Sequence, residues 1–301
     1  MAKAYFINKV LATTVVGSYP VVKGKGLRSL FDPLHAAVET AVADQIAAGI
    51  DIISDGQVRG DMISAFASKL PGVKDQDVIG KVQPASGPIT VGDTKFALSK
   101  TPKVKGIITG PTTLAHGLHL STPMYRNKEE LALDLAVALA AEAKSLEAAG
   151  ITLLQIDEPM FSTGVADLTV GKEAVELITG SLNIPTCMHV CGGLGLVIDK
   201  ILDINVDVLD FEFSNNPANL ELFRSRDLAG RMIGFGCVDS TTDTIESVEE
   251  IRARIEKGIE IFGEKAMLID PDCGMRMRTR ESAFAKLKNM AQAAKEVRLA
   301  L

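Results

Sequence analysis

A chain of 301 residues with 47% hydrophobic content is long enough for one large α/β barrel or for two ordinary domains. Its net charge of −6 and isoelectric point near 5.4 supply no general basic field, so neither nucleic acid nor membrane is an expected partner. A small substrate or a protein partner is.

The first stretch, MAKAYFINKVLATTVVGSYP, lacks the apolar core of a signal peptide. No run approaches the roughly 18 uninterrupted apolar residues of a membrane span, and a cytoplasmic protein is expected. In a reducing compartment Cys187, Cys191, Cys237 and Cys273 read as ligands, reactive groups or core residues rather than disulfides.

In chain order, short β-branched apolar runs alternate with longer amphipathic ones. The runs are LATTVVGS (11–18), GIDIISDG (49–56), KVKGIITG (103–110), TLLQIDEP (152–159), IPTCMHVCG (184–192), VDVLDFEFS (206–214), MIGFGCVD (232–239) and AMLIDPDCG (266–274). Between them, the spacing of Ala, Leu, Glu and Lys predicts helices most clearly over 127–150, 247–263 and 280–298. Eight strand–helix pairs predict an α/β fold, a single (β/α)8 TIM barrel over residues 1–301, with a doubly wound open sheet as the alternative. Residues 71–102 break the alternation. Their Gly, Pro, Asp and Thr, with short extended stretches such as GPITVGDTKFAL, predict a hairpin-bearing insertion between strands 2 and 3, of the kind that lies over an active site.

Chemistry in such a barrel collects at the C-terminal strand ends. These read VGSYP, SDGQVRGDM, TGPTT, QIDEP, HVCGG, DFEFS, GCVDS and DPDCG, and they hold nearly every polar or metal-capable residue that interrupts a run. His189 and Cys191 are two apart and therefore point the same way from one strand. Glu212 interrupts an apolar strand, where a carboxylate without a partner is costly and a cation removes the penalty. With Cys273 these are the donor types of a catalytic zinc site, although His189 and Cys191 alone are more often a core histidine beside an apolar thiol. Cys187, about 13 Å farther down the strand at 3.3 Å per residue, reads as core. Cys237 reads as a pocket wall or a replacement ligand.

TTVVGSYP, GPTTLA, LQIDEP, MHVCGG, DFEFS and DPDCG, in this order, resemble the C-terminal catalytic barrel of cobalamin-independent methionine synthase, closest to the short archaeal and bacterial relatives that consist of that barrel alone. The resemblance covers practically the whole chain. It implies Zn2+ bound by His189, Cys191, Glu212 and Cys273, with the thiol of homocysteine bound to the metal and methylated to give methionine. A thiol of pKa about 8.5 is mostly protonated at neutral pH, and a coordinating metal deprotonates it.

The same resemblance gives the substrate carboxylate to the backbone around Val16, Gly17 and Ser18, and the ammonium to Asp157, with Glu158 beside it. Helix capping is the alternative for Asp157 and Glu158. Glu212, the ligand expected to loosen when the substrate sulfur enters, and Asp157 are the expected catalytic residues. Near SDGQVRGDM the larger enzymes carry glutamates, one of them an ammonium contact. This chain has Gln57 and Val58 there, and Gln57, Asp61 or Asp55 is expected to complete the amino-group site.

Three departures bear on the methyl donor. The larger enzymes place a pterin-stacking tryptophan after the GPxT motif, a pterin-gripping carboxylate after IDEP and a histidine thought to protonate the departing folate nitrogen. Gly117, Thr163 and Thr241 stand there instead, and the chain has no Trp. No counterpart of their N-terminal barrel is expected here. Tetrahydrofolate needs an acid to leave, whereas cobalt(I) of a corrinoid does not. The expected donor is therefore a methylated corrinoid, methylcobalamin or a corrinoid protein docked over the barrel mouth.

The alternatives are a zinc methyltransferase acting on another thiol such as coenzyme M, a folate-dependent methionine synthase, and a zinc-binding protein without turnover. His116 and His119 read as a solvated pair or a second metal site. GMRMRTRE (274–281) reads as an anion contact or as a helix brace.

Overall fold

The computed structural model describes residues 7–24 and 31–301. The strands, in chain order, are β1 (Ala12–Thr13), β2 (Val73–Lys74), β3 (Asp77–Val78), β4 (Lys105–Thr109), β5 (His119–Leu120), β6 (Leu153–Asp157), β7 (Thr186–Val190), β8 (Val208–Glu212), β9 (Met232–Gly236) and β10 (Met267–Asp270). The helices are α1 (His35–Ala48), α2 (Ser64–Ala67), α3 (Val91–Leu98), α4 (Pro111–Gly117), α5 (Lys128–Ala149), α6 (Leu168–Thr179), α7 (Ile198–Leu202), α8 (Ala218–Glu221), α9 (Val248–Phe262) and α10 (Arg280–Ala300). None of the described helices is long and apolar enough to cross a membrane.

Seven strands form one parallel sheet in the order β1-β10-β9-β8-β7-β6-β4, curled so that its two edges approach each other. The expected run 49–56 fills the gap between them. Asp51 and Ile52 donate N–H groups to the Thr13 carbonyl at 3.1 and 3.0 Å, Ile53 donates to Lys103 at 3.2 Å, and Lys105 donates back to Ile53 at 2.8 Å. Only the Ile53–Val104 bridge survives as regular pairing, because the next residue is taken by a helix side chain: Gln45 of α1 accepts the Ser54 N–H at 2.8 Å and donates to its carbonyl at 3.2 Å. This is the expected (β/α)8 barrel, with the second strand reduced to a single bridge.

Strand alternation sorts the barrel interior by depth. Ala12, Ile52, Leu153, Cys187, Val208, Met232 and Leu268 make an apolar floor, which confirms Cys187 as core. Two residues on, the same inward faces carry Gln155, His189, Asp210 and Asp270, all buried. Two further on they carry Asp157 and Glu212. Glycines 234 and 236 on β9 make room for this polar content, since a Cβ at Gly234 would lie 2.6 Å from Asp210 Cγ and one at Gly236 would lie 2.7 Å from both Asp272 Oδ1 and the Phe211 carbonyl.

The clearest helices begin and end on chemical signals. Asn127 Oδ1 accepts the Glu130 N–H at 2.9 Å at the start of α5, Ser247 and Glu250 form a capping box on α9, and Gly150 ends α5 at φ 96°. The insertion does hold a hairpin, β2 antiparallel to β3, with β5 parallel to β3. GPITVGDTKFAL, however, is helical from Val91, with Val91, Thr94 and Ala97 buried at a spacing of three. Its entry is anchored by buried Glu142 of α5, which accepts the N–H groups of Ile89 and Thr90, each at 2.7 Å.

Gly236→Ala should destabilise the fold by about 1–3 kcal/mol through overpacking against Asp272 and the Phe211 backbone. The check is a lower denaturant midpoint at unchanged slope; an unchanged midpoint would mean that the barrel yields there freely.

Candidate functional site

His189, on the inward face of β7, has its Nδ1 3.1 Å from Asp210 Oδ1 and is only 2% exposed. With that nitrogen held by the carboxylate, Nε2 is buried and has no hydrogen-bond partner. Cys191 follows β7 and Cys273 follows β10, and the ligand atoms of the three residues lie within 4.8 Å of one another. Burial alone would push the His189 pKa down, but Asp210 overrides it and holds the imidazole well above its ordinary value. A hydrogen bond with Cys191, and then burial, hold the Cys273 thiol well above its ordinary value. An orphaned imidazole nitrogen facing two thiols, with its other nitrogen on a carboxylate, fits a thiophilic divalent ion such as zinc.

Glu212 departs from the expected ligand set. It lies at the end of the neighbouring strand but does not join the cluster, because its carboxylate accepts a hydrogen bond from Asn216 Nδ2. Two buried polar side chains fix this neighbourhood. Asp272 accepts the N–H groups of Phe213, Ser214 and Asn215 at 3.1, 2.9 and 2.6 Å, and Asn219 donates to the carbonyls of Gly192 and Glu212, both at 2.9 Å. The cysteine loop and the glutamate loop are thereby tied together.

A cavity of about 600 Å3 opens at the barrel mouth, and His189, Cys191, Cys273, Asp157, Val16 and Ser18 are among its walls. Asp157 is 7% exposed, and burial raises its pKa to about 6. The carbonyls of Val16, Gly17 and Ser18 are taken by Gln155, Ser54 and Met275, whereas their N–H groups have no acceptor among the described residues. Gly17 has φ 156°, and a Cβ there would lie 2.4 Å from Ile107 Cδ1 and 2.6 Å from Gln57 Oε1, so the tips of both side chains would have to shift.

Several expected contacts are spent elsewhere. Glu158 is fully buried and caps α4, accepting the N–H groups of Thr112 and Thr113 at 2.9 and 2.8 Å, so capping rather than substrate binding is its role. Asp61 borders the cavity but caps α2 through Ile63 and Ser64 at 2.9 and 2.8 Å. Gln57 and Asp55 line the cavity. Asp55 has the Gln57 N–H at 2.8 Å, forms no salt bridge among the described residues, and is raised by burial to about 6.

Cys237 is completely buried and is not a cavity wall. His116 and His119 join no metal-capable cluster among the described residues. Two arginines of GMRMRTRE act as braces: Arg276 donates to the carbonyls of Gln57 and Gly60, and Arg280 forks onto Asp44 at 2.7 and 2.9 Å.

The sequence reasoning missed Asp210, Gln155, Asp272 and Asn219. A signal existed for the first two: each lies two residues before an identified site residue on the same strand face.

Fold and site together define a (β/α)8 barrel with a histidine–dithiol centre at its mouth. The family model described as "Cobalamin-independent synthase, Catalytic domain" matches residues 11–296. Methionine synthase of Methanothermobacter marburgensis is 42% identical over 308 residues, covering 95% of this chain and 100% of the relative. That of Methanocaldococcus jannaschii is 42% identical over 313 residues, covering 96% and 100%. A B12-independent methionine synthase from Shewanella sp. W3-18-1, solved in complex with selenomethionine, superposes with a TM-score of 0.87 at 28% identity, covering 97% of this chain and 100% of that one. The chain belongs to the cobalamin-independent methionine synthase family.

This corrects the expected donor. The family is described as cobalamin-independent and the Shewanella relative as B12-independent, so neither a methylated corrinoid nor a corrinoid protein is the partner. The three departures that suggested it lie off the cavity. Gly117 is packed where a Cβ would meet Ile63 Cδ1 at 2.6 Å, while Thr163 and Thr241 are exposed with their hydroxyls bound locally to the Met160 carbonyl and to Asp239. They therefore do not report on what the cavity holds.

Asp55 has a folded pKa of about 6, above its value of 3.8 in water. The folded state then binds more protons than the unfolded one between these values, so this group's contribution to stability falls as pH rises through that window. Asp55→Asn should flatten the fall, as read from denaturant midpoints between about pH 4 and 7; an unchanged profile would place the Asp55 carboxylate in water.

Proposed function

We propose that this chain works as a single zinc-dependent methyltransferase barrel that converts homocysteine to methionine, with a methylated tetrahydrofolate as donor. The buried, unpartnered Nε2 of His189 facing Cys191 and Cys273 carries this reading. These three residues would hold the metal, with Glu212 as the fourth donor once it is released from Asn216. Zinc, when bound, supplies the Lewis acidity that keeps a thiol deprotonated at neutral pH.

The chain's own residues bind and orient the amino acid. The free N–H groups of Val16, Gly17 and Ser18 suit its carboxylate, and Asp157 suits its ammonium through a charge-assisted contact. In the transfer the sulfur–methyl bond forms as the nitrogen–methyl bond of the donor breaks, and the leaving nitrogen takes up a proton in exchange for the one lost by the thiol. The cavity also has apolar walls, among them Val58, Met62, Phe66, Ile89 and Met277, which suit a flat heteroaromatic donor.

The test is methionine formation by the zinc-loaded protein from homocysteine and methyltetrahydrofolate, mono- and polyglutamylated. Turnover is expected with at least one of the two folates, and none with either would sink the donor assignment. Asp210→Asn should weaken zinc binding by about 10–100-fold and Cys273→Ser by more, measured by competition with a chromogenic chelator. Unchanged zinc affinity in Cys273→Ser would remove that residue from the centre.

A further inference from the structure

Beneath the cavity lies a lysine with no carboxylate partner among the described residues. Lys105, 2% exposed on β4, donates from Nζ to the Val15 carbonyl at 2.7 Å and to Gln155 Oε1 at 2.5 Å. Gln155 is completely buried and donates from Nε2 to the Val16 carbonyl and to Asp157 Oδ1, both at 2.7 Å.

A side-chain amide has one acceptor end and two donor hydrogens. Here only one orientation serves. Turned over, the amide would set its NH2 against the Lys105 ammonium and its oxygen against a carbonyl and a carboxylate. Lys105 thus fixes the amide, and the amide's two hydrogens span the chain from β6 to the segment after β1.

The consequence for the backbone follows from peptide planarity, because in a trans peptide the N–H points opposite to the C=O. Holding the Val15 and Val16 carbonyls on Lys105 and Gln155 turns the N–H groups of Val16 and Gly17 away from the buried layer. The same Gln155 amide holds Asp157.

We propose that Gln155, oriented by Lys105, is a positioning residue that sets the spacing between the anion-binding N–H groups of Val16 and Gly17 and the cation-binding Asp157, and thereby selects a thiol substrate carrying a carboxylate and an ammonium on one carbon. This rests on the substrate reading above and goes beyond it in naming what enforces the selection. Gln155 touches no substrate atom; it acts through its two neighbours.

Gln155→Glu keeps the length and the acceptor for Lys105 but presents no donor to Val16 or Asp157, and Gln155→Met removes both ends. In each, KM for homocysteine should rise about ten- to a hundredfold, the cost of leaving buried polar groups unpaired. KM for the methyl donor and bound zinc should hold, and so should the rate of methylation of 1-butanethiol, which has neither polar group. An unchanged KM for homocysteine, or an equal loss with 1-butanethiol, would overturn the proposal. If both variants unfold, the side-chain NH2 resonances of Gln155 in the wild type decide instead: they should move when homocysteine is added and not with 1-butanethiol, and resonances that stay put overturn it. A wild type that does not distinguish the two thiols would refute the substrate reading itself, and with it this inference.

Discussion

A side chain on the inner face of a closed parallel barrel has no route to solvent except upward through the mouth. Each inward position therefore has to be apolar, satisfied by a neighbour, or part of the site. In this chain the floor is apolar, filled by Leu153, Cys187, Val208 and Leu268. Gln155, His189, Asp210 and Asp270 lie on the same faces one step up, where Gln155 is satisfied by its neighbours while His189 Nε2 and both Asp270 oxygens are not, and Asp157 and Glu212 stand above them. Because strand register fixes these steps, moving one residue along a strand would exchange its chemical face for its packing face.

Against that background the unpartnered atoms become informative. Glu158 and Asp272 are buried carboxylates whose oxygens are used by backbone N–H groups, and Lys286 is a buried ammonium matched to Glu246 at 2.6 Å. They hold loops and helix ends in place. His189 differs, since its Nδ1 is held at Asp210 while its Nε2 is buried with nothing to bind. Asp210 Oδ2 and both oxygens of Asp270 are also buried without a hydrogen-bond partner, but His189 Nε2 lies beside two thiols, which is the donor geometry of an ion-binding site.

How much of this was legible in the sequence follows from what each signal depends on. The barrel and its strand-end residues were readable because period and punctuation are local properties, and His189 and Cys191 declared their common face through their spacing alone. The helix at Val91–Leu98 was not, since its turn residues resemble those of an extended loop and its start is set by Glu142, far away in sequence. Nor could the second strand's reduction to Ile53 be seen, because it depends on Gln45 reaching across from a helix. Glu158 misled for the same reason: its partners Thr112 and Thr113 belong to another βα unit. Glu212 was correctly placed at a strand end, yet where its carboxylate points is decided by Asn216, which strand periodicity does not describe.

The donor assignment shows a further division within the barrel. The groups proposed to meet the thiol and the amino acid lie on or directly after strands, where hydrogen bonding to neighbouring strands holds the backbone. The outer wall of the cavity comes from residues 57–69 and 89–93, carried on loops and short helices and braced by Arg59, which reaches both Asp32 and Asp93, and by Arg276 across the mouth. Loops of this kind change composition without disturbing the strands beneath them. Substitutions at Gly117, Thr163 and Thr241 are therefore weak witnesses to the methyl donor, because none of them borders the space where a donor would meet the thiol. On the proposed reading, a methyl carrier entering the cavity would meet the side chains of this braced wall rather than the motifs counted along the strands.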